Sequence, residues 1–199
     1  KDGEYLFLPK EGNPYGRWAG DDFPLFKGGV KSGMIQGFFQ HLFYPKPRLI
    51  IFGAGPDVRP LVSLAGNTGY STLVCDWRPE FCKKEYFPEV DELIIGFPKE
   101  IIRKIEFTPF DFVVVASHHF PRDREVLTYL PRERIRYIGV LGPKERTKRL
   151  IGKTEIPANM KAPIGLSIGA IGPEEIAISI MAELLEEWRK PLKNWNDPE

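Results

Sequence analysis

Three short clusters in this 199-residue sequence combine residue types that can hold or handle a ligand. Gly53-Ala54-Gly55 follows an unbroken apolar run, Leu49 to Phe52. Glycines at the end of a buried strand let backbone amides approach a phosphate at a helix N-terminus. Val58 stands where the complete G-x-G-x-x-G fingerprint has its third glycine, so the motif is partial. Asp76 closes a second candidate strand about 20 residues further on, where a dinucleotide-binding unit carries its ribose-binding acid. Arg78, two residues later, offers a phosphate ligand instead. Asp57 argues the other way. It stands where a pyrophosphate would lie, and a carboxylate capping the helix there competes with an anion for the same N–H groups.

The second cluster, Ser117-His118-His119, ends another apolar run, Phe112 to Ala116. Polar residues at the carboxyl ends of parallel strands face the ligand crevice. A histidine there can donate or accept a proton near neutral pH, while one of the two is read as a solvent-exposed loop residue. The third histidine, His41, lies far upstream, and Asp123 adds one oxygen ligand. No zinc-type ligand spacing results, so no metal site is expected. The third cluster, Gly165-Leu166-Ser167-Ile168-Gly169, matches the nucleophile pattern of serine hydrolases. That chemistry needs a helix directly after the serine and a histidine later in the chain. No histidine follows His119, and the glycines are read as a loop passing close to a ligand or to the first turn. No catalytic residue is expected. Between Arg132 and Arg149 seven Lys or Arg face only Glu133 and Glu145, a pattern more often a solvated face than an anion funnel.

Net charge is +1 and the pI about 7.9, which points to neither a nucleic-acid nor a membrane partner. The two cysteines, Cys75 and Cys82, form no spaced zinc or redox motif and fit reduced thiols in a cytoplasmic protein. No apolar run reaches the roughly 20 residues of a membrane span, and no signal-peptide pattern opens the chain. The first residue is Lys1, as in a fragment of a longer protein.

The elements that must position these clusters alternate from Arg48 onward. Strands are expected over Leu49–Phe52, Ser71–Cys75, Glu92–Ile95, Phe112–Ala116 and Tyr137–Leu141. Helices are expected over Asp57–Asn67 with Asp57 as N-cap, Arg122–Leu130, Lys144–Ile151 and from Pro173 onward. On the last, Ala177, Ile180, Met181, Leu184, Leu185 and Trp188 form one apolar stripe. Continuous apolar strands alternating with helices predict an α/β fold, a Rossmann-like doubly wound parallel sheet with helices on both faces. Residues 1–45, rich in Gly, Pro and aromatics, read as an irregular N-terminal segment, the remnant or linker of a preceding domain. Within it a strand is expected over Glu4–Pro9, a turn at Asn13-Pro14-Tyr15-Gly16 and a short helix over Met34–Phe43. Residues 46–190 form the main domain and 191–199 a frayed tail.

Taken in order, Pro47-Arg-Leu-Ile-Ile-Phe-Gly-Ala-Gly55, Val74-Cys-Asp76-Trp-Arg78, Ser117-His118 with Asp123 and Leu127, Tyr137-Ile-Gly-Val-Leu-Gly142, and the run from Ala162 through Gly165, Gly169 and Gly172-Pro173-Glu174-Glu175 to Glu183 resemble the xanthine dehydrogenase accessory factor (XdhC/CoxI) family. The resemblance covers about residues 46–188, and the run closing at Glu183 is its most specific part. It implies a molybdenum-cofactor-binding chaperone. Such a protein holds the molybdopterin during sulfuration by a cysteine desulfurase and passes it to xanthine dehydrogenase or a related molybdenum hydroxylase, commonly as a homodimer. The cofactor-binding residues it implies are Gly53, Gly55, Asp76, Arg78, Ser117, His118, Asp123, Gly142, Gly165 and Gly169. One departure stands in the first turn: Pro56-Asp57-Val58 follows Gly55 where the family usually has His-Val. An NAD(P)-binding oxidoreductase or a nucleotide-sensing Rossmann domain is the alternative, and an interaction module that has lost its ligand is a third reading.

Overall fold

The computed structural model describes residues 5–7, 9, 13–17, 32–35, 38–41, 43 and 45–190. The chain divides into two compact units, the first ending at Leu42 and the second beginning at Phe43. In the first unit β1 (Tyr5–Phe7) pairs antiparallel with β2 (Tyr15–Arg17), and β3 (Gly33–Ile35) with β4 (Phe38–Gln40). Two sequence expectations are corrected here. Tyr15 and Gly16 are strand rather than turn, and Phe7 stacks on Tyr15 across the pair with ring centroids 5.1 Å apart. The helix expected over Met34–Phe43 is a strand pair. A window this short does not separate the two states, and the aromatic Phe39 suits a pleated surface.

The second unit runs β5 (Arg48–Phe52), a 3-10 turn (Pro56–Val58), α1 (Arg59–Asn67), β6 (Ser71–Asp76), β7 (Glu92–Ile95), α2 (Pro98–Lys104), β8 (Asp111–Val115), α3 (Phe120–Tyr129), β9 (Tyr137–Val140), α4 (Lys144–Ile151), β10 (Met160–Lys161) and α5 (Gly172–Arg189). All six strands are parallel, in the order β7-β6-β5-β8-β9-β10. That is the strand order of a doubly wound Rossmann sheet, whose direction of winding reverses between β5 and β8.

Helices cover both faces, which is why the strands read as unbroken apolar runs. Leu49, Ile51, Val74, Phe112, Val114 and Tyr137 are buried in the core shared with α1 and α5. Their alternates Ile50, Phe52, Leu73, Cys75, Val113 and Val115 join α2, α3 and α4 on the opposite face. A bidentate pair fixes the two central strands: Arg48 Nε and Nη2 donate to Asp111 Oδ1 and Oδ2 at 2.9 and 2.8 Å.

Two elements escaped the sequence reading. The α2 helix hides behind Phe97-Pro98, and β10 is two residues long. Three helix starts also move. Helix α3 begins at Phe120, α5 at Gly172, and the helix expected from Asp57 begins only at Arg59, after the 3-10 turn.

Candidate functional site

The crevice at the carboxyl ends of β5 and β8 is where doubly wound sheets bind ligands. Its floor is the glycine turn. Gly53 has φ +123°, and a Cβ there would lie 2.6 Å from both the carbonyl carbon and oxygen of Ala116 and 2.7 Å from Ser117 N. Only glycine fits, because the turn after β5 leans on the backbone leaving β8. The next residue ties the turn to β6: Ala54 N donates to Asp76 Oδ2 at 2.8 Å.

Asp76 is 2 % exposed. Besides Ala54, it accepts Arg78 N and Nε on Oδ1 at 2.9 and 3.0 Å, and Arg78 Nη2 on Oδ2 at 2.9 Å. A carboxylate has about four lone-pair sites, and all four are taken. Burial pushes the carboxyl up, but the hydrogen bonds from Arg78 and Ala54 outweigh it and hold it below the ordinary carboxylate range. The Arg78 guanidinium lies between Trp77 and Phe81, 4.5 and 4.2 Å from their ring centres. Asp76 and Arg78 are thus brought to the crevice as a mutually bonded pair.

Asp57 does not cap α1, which has no side-chain cap. Its Oδ1 lies 2.5 Å from where a Gly55 Cβ would stand, directly over the turn. Its Oδ2 is 2.6 Å from His118 Nε2. His118, with a side chain 60 % exposed, has φ +57° and is the one described non-glycine residue in the left-handed region. Such a conformation costs roughly 1–2 kcal/mol. It aims the imidazole back across the turn at Asp57.

Ser117 and Asp123 meet below this pair. Ser117 Oγ donates to Asp123 Oδ1 at 2.5 Å and accepts His119 N at 3.2 Å. Arg146 Nη2, from α4, donates to Asp123 Oδ2 at 2.6 Å, so the buried carboxylate joins α3, α4 and the end of β8. His119 is exposed, with its ring 5.3 Å from Trp77. Arg122 stacks over Phe97 at 4.4 Å, and its buried Nε has no hydrogen-bond partner among the described residues.

The loop before α5 is held from behind. Gly165 N and Tyr137 Oη both donate to Glu183 Oε2, at 2.6 and 2.5 Å. A Cβ on Gly165 would lie 2.5 Å from Ser179 Oγ. Burial, then the bond to Glu183, pushes the Tyr137 hydroxyl up. Gly169 (φ +74°) has open space where a Cβ would stand, and Gly142 (φ +110°) meets Arg146 Cδ at 3.5 Å. Ser167 lies in this loop several residues ahead of α5.

The sequence reading missed Arg146, Glu183 and the partnership of Asp57 with His118. The one signal for the last was the misfit of a carboxylate in a glycine turn. Among the described residues no three His, Cys, Asp or Glu side chains converge to hold a metal ion.

Comparison with known proteins agrees with this architecture. A Bacillus subtilis protein described as a probable xanthine dehydrogenase subunit is 42% identical over 188 residues, which are 92% of this chain and 57% of the relative. The uncharacterized protein YqeB of Escherichia coli is 30% identical over 166 residues, 79% of this chain and 30% of the relative. A crystal structure described as a xanthine dehydrogenase from Bacillus halodurans superposes with a TM-score of 0.84 at 45% identity, covering 96% of this chain and 58% of that one. The chain therefore spans little more than half the length of either Bacillus relative. Residues 49–184 match the family described as the XdhC Rossmann domain, and the chain belongs to that family.

Proposed function

We propose that this chain is the cofactor-holding domain of a cytoplasmic accessory protein serving xanthine dehydrogenase or a related molybdenum hydroxylase. In this reading it binds molybdenum cofactor, keeps it during sulfuration by a cysteine desulfurase, and releases it to the hydroxylase. Family membership supports the class. The observation that favours this reading over NAD(P) is the Asp76 carboxylate, whose lone pairs all go to Ala54 and Arg78, leaving none for a ribose diol.

The residues present fit an anionic, polar ligand. Arg122 keeps a buried Nε without a partner among the described residues, and there is free space beside Gly169 where a Cβ would stand. In this role the backbone at Gly53 and Gly55 forms the floor, with His118 and Arg122 as the polar contacts. Ser117, Asp123 and Arg146 fix the loop that carries His118. Asp76 and Arg78 act from beneath, by holding Ala54. Gly165 lets its loop pack against Ser179 and Ile180 of α5, and Gly142 and Gly169 let their loops approach the ligand. When bound, the cofactor supplies the molybdenum centre that the hydroxylase uses. Pairing of two copies would cover the exposed Ile168, Ile171 and Ile178, in and just after the loop before α5.

The test is a calorimetric titration of the full-length protein with molybdenum cofactor and with NAD(H), followed by transfer to cofactor-free xanthine dehydrogenase. Binding of the cofactor and recovery of dehydrogenase activity are expected. Tight NAD(H) binding with no cofactor uptake would establish the oxidoreductase reading instead, which the strand order by itself also allows.

A further inference from the structure

The helices on the two faces of the parallel sheet differ in charge. Residues 120–151, which span α3 and α4, contain nine Lys or Arg and four Asp or Glu, in a protein whose net charge is +1. Helix α5, on the other face, contains five Glu and one Arg. Three of the four acids in the basic stretch are already paired: Asp123 with Arg146 at 2.6 Å, Glu125 with Arg122 at 2.8 Å and Glu145 with Lys148 at 3.0 Å. Arg124 of α3 and Lys144 and Arg149 of α4 are exposed and form no ion pair among the described residues.

These cations stand at the crevice end of their helices. Helix α3 begins directly after His118-His119 and α4 directly after Gly142-Pro143, so both start where their strands end. Arg149 and Arg146 reach back to Phe120, the first residue of α3, with guanidinium carbons 5.5 and 5.8 Å from its ring centre. Arg124 lies one turn on from Phe120, on the same side of α3, and Lys144 opens α4. The result is a cationic ledge around a half-buried aromatic ring. Arginine and aromatic residues are enriched where proteins meet, and charges at a rim set how fast and in which orientation partners meet. A two-fold pair of this chain formed through the ledge would set positive against positive, because such an interface is self-complementary. Nucleic acid is bound by proteins with a large basic excess, which the acids of α5 cancel here. The ledge adjoins the crevice from which a held ligand leaves, so it suits the protein that takes the ligand.

We propose that Arg124, Lys144 and Arg149 form the docking ledge for a cluster of carboxylates beside the cofactor entrance of the hydroxylase that receives the cofactor. The proposal rests on the delivery reading above and adds the surface by which the recipient is found and oriented.

The test follows association of the full-length protein with cofactor-free xanthine dehydrogenase by stopped-flow fluorescence over a range of salt concentrations. One variant combines Arg124→Glu, Lys144→Glu and Arg149→Glu. A control combines Arg103→Glu, Lys104→Glu and Lys153→Glu, the same charge change at exposed positions near helix ends away from the crevice. Thermal melting checks both, and glutamine replaces glutamate wherever a reversal fails to fold. The ledge variant is expected to associate at least about tenfold more slowly at low salt and to lose most of the salt dependence. Its cofactor affinity stays that of the unaltered protein, and the control associates normally. Equal slowing in the control, an unchanged rate in the ledge variant, or weakened cofactor binding in the ledge variant overturns the ledge. So does tighter binding of the unaltered protein to duplex DNA or anionic vesicles than to the dehydrogenase. Recovery of dehydrogenase activity at the unaltered rate with the ledge variant overturns the ledge and leaves the delivery role standing. Association through the ledge with no cofactor transferred overturns the delivery role and leaves the ledge standing.

Discussion

The Asp76 carboxylate and the Ala54 amide join two parallel strands at their ends, with Ala54 N donating to Asp76 Oδ2 at 2.8 Å. In a dinucleotide-binding sheet the acid at this position faces the ligand. Here it faces the glycine turn and holds it, and Arg78 completes its shell. Asp76→Ala leaves the Ala54 amide and the half-buried Arg78 guanidinium without their acceptor. A loss of about 2 kcal/mol or more in a urea titration is expected. An unchanged midpoint would show that the clamp is not needed.

The same residue predicts a pH dependence. Its carboxyl is held below the ordinary range in the folded protein, whereas the unfolded chain titrates near ~3.9. The stabilisation it provides is therefore fully present above the unfolded value and is lost as pH falls through the lower folded value. The stability difference between the unaltered protein and Asp76→Asn is expected to stay constant from about pH 7 to 5 and to shrink below about pH 4. Paired urea titrations across that range measure it.

Two glycines of the candidate site are expected to respond differently to alanine. Gly53→Ala drives a Cβ into the backbone of Ala116 and Ser117, where no side-chain rotation relieves the clash. A cost above about 2 kcal/mol follows from the clash together with the positive φ. Gly169→Ala meets no atom and carries only the left-handed penalty of roughly 1–2 kcal/mol. Thermal melts of the two variants, run side by side, compare them.

Glu183 holds the loop before α5 through Gly165 and Tyr137. Glu183→Ala removes the acceptor of both donors, and a loss of about 2 kcal/mol is expected from the stranded amide and hydroxyl. Proteolysis within residues 165–171 should accelerate in the same variant. Protease resistance equal to that of the unaltered protein would show the loop is held by its other contacts, those of Ser179 with the Leu166 backbone and of Glu175 with the Ile171 amide.

Both cysteines are free and buried. Burial pushes the Cys75 thiol well up and the Cys82 thiol up to about 11. A thiol reagent at pH 8 is expected to leave both unmodified in the folded protein and to label two thiols after denaturation, because the thiolate is the reactive form. Rapid labelling of either in the folded protein would contradict the packing on both faces of the sheet.

The unbroken apolar runs Leu49–Phe52 and Phe112–Ala116 already determine a parallel sheet covered on both sides, because only strands buried on two faces lose their alternation. Gly53 likewise announces the turn from sequence alone. Order within the sheet, with β5 beside β8 and the crevice between them, is set by tertiary packing. So are the roles of the polar residues. Asp57 reads from the sequence as a helix cap and caps nothing, because His118, 61 residues later, adopts a left-handed backbone and meets its carboxylate, which no local rule reveals. Asp76 was legible as a ligand acid by its spacing, and only the approach of Ala54 and Arg78 shows its oxygens already occupied. Spacing along the chain places a side chain at the end of a strand. Which partner it satisfies depends on segments that meet only when the sheet closes, and the short Met34–Phe43 window failed as a helix for the same reason: cross-strand pairing outweighed local preference.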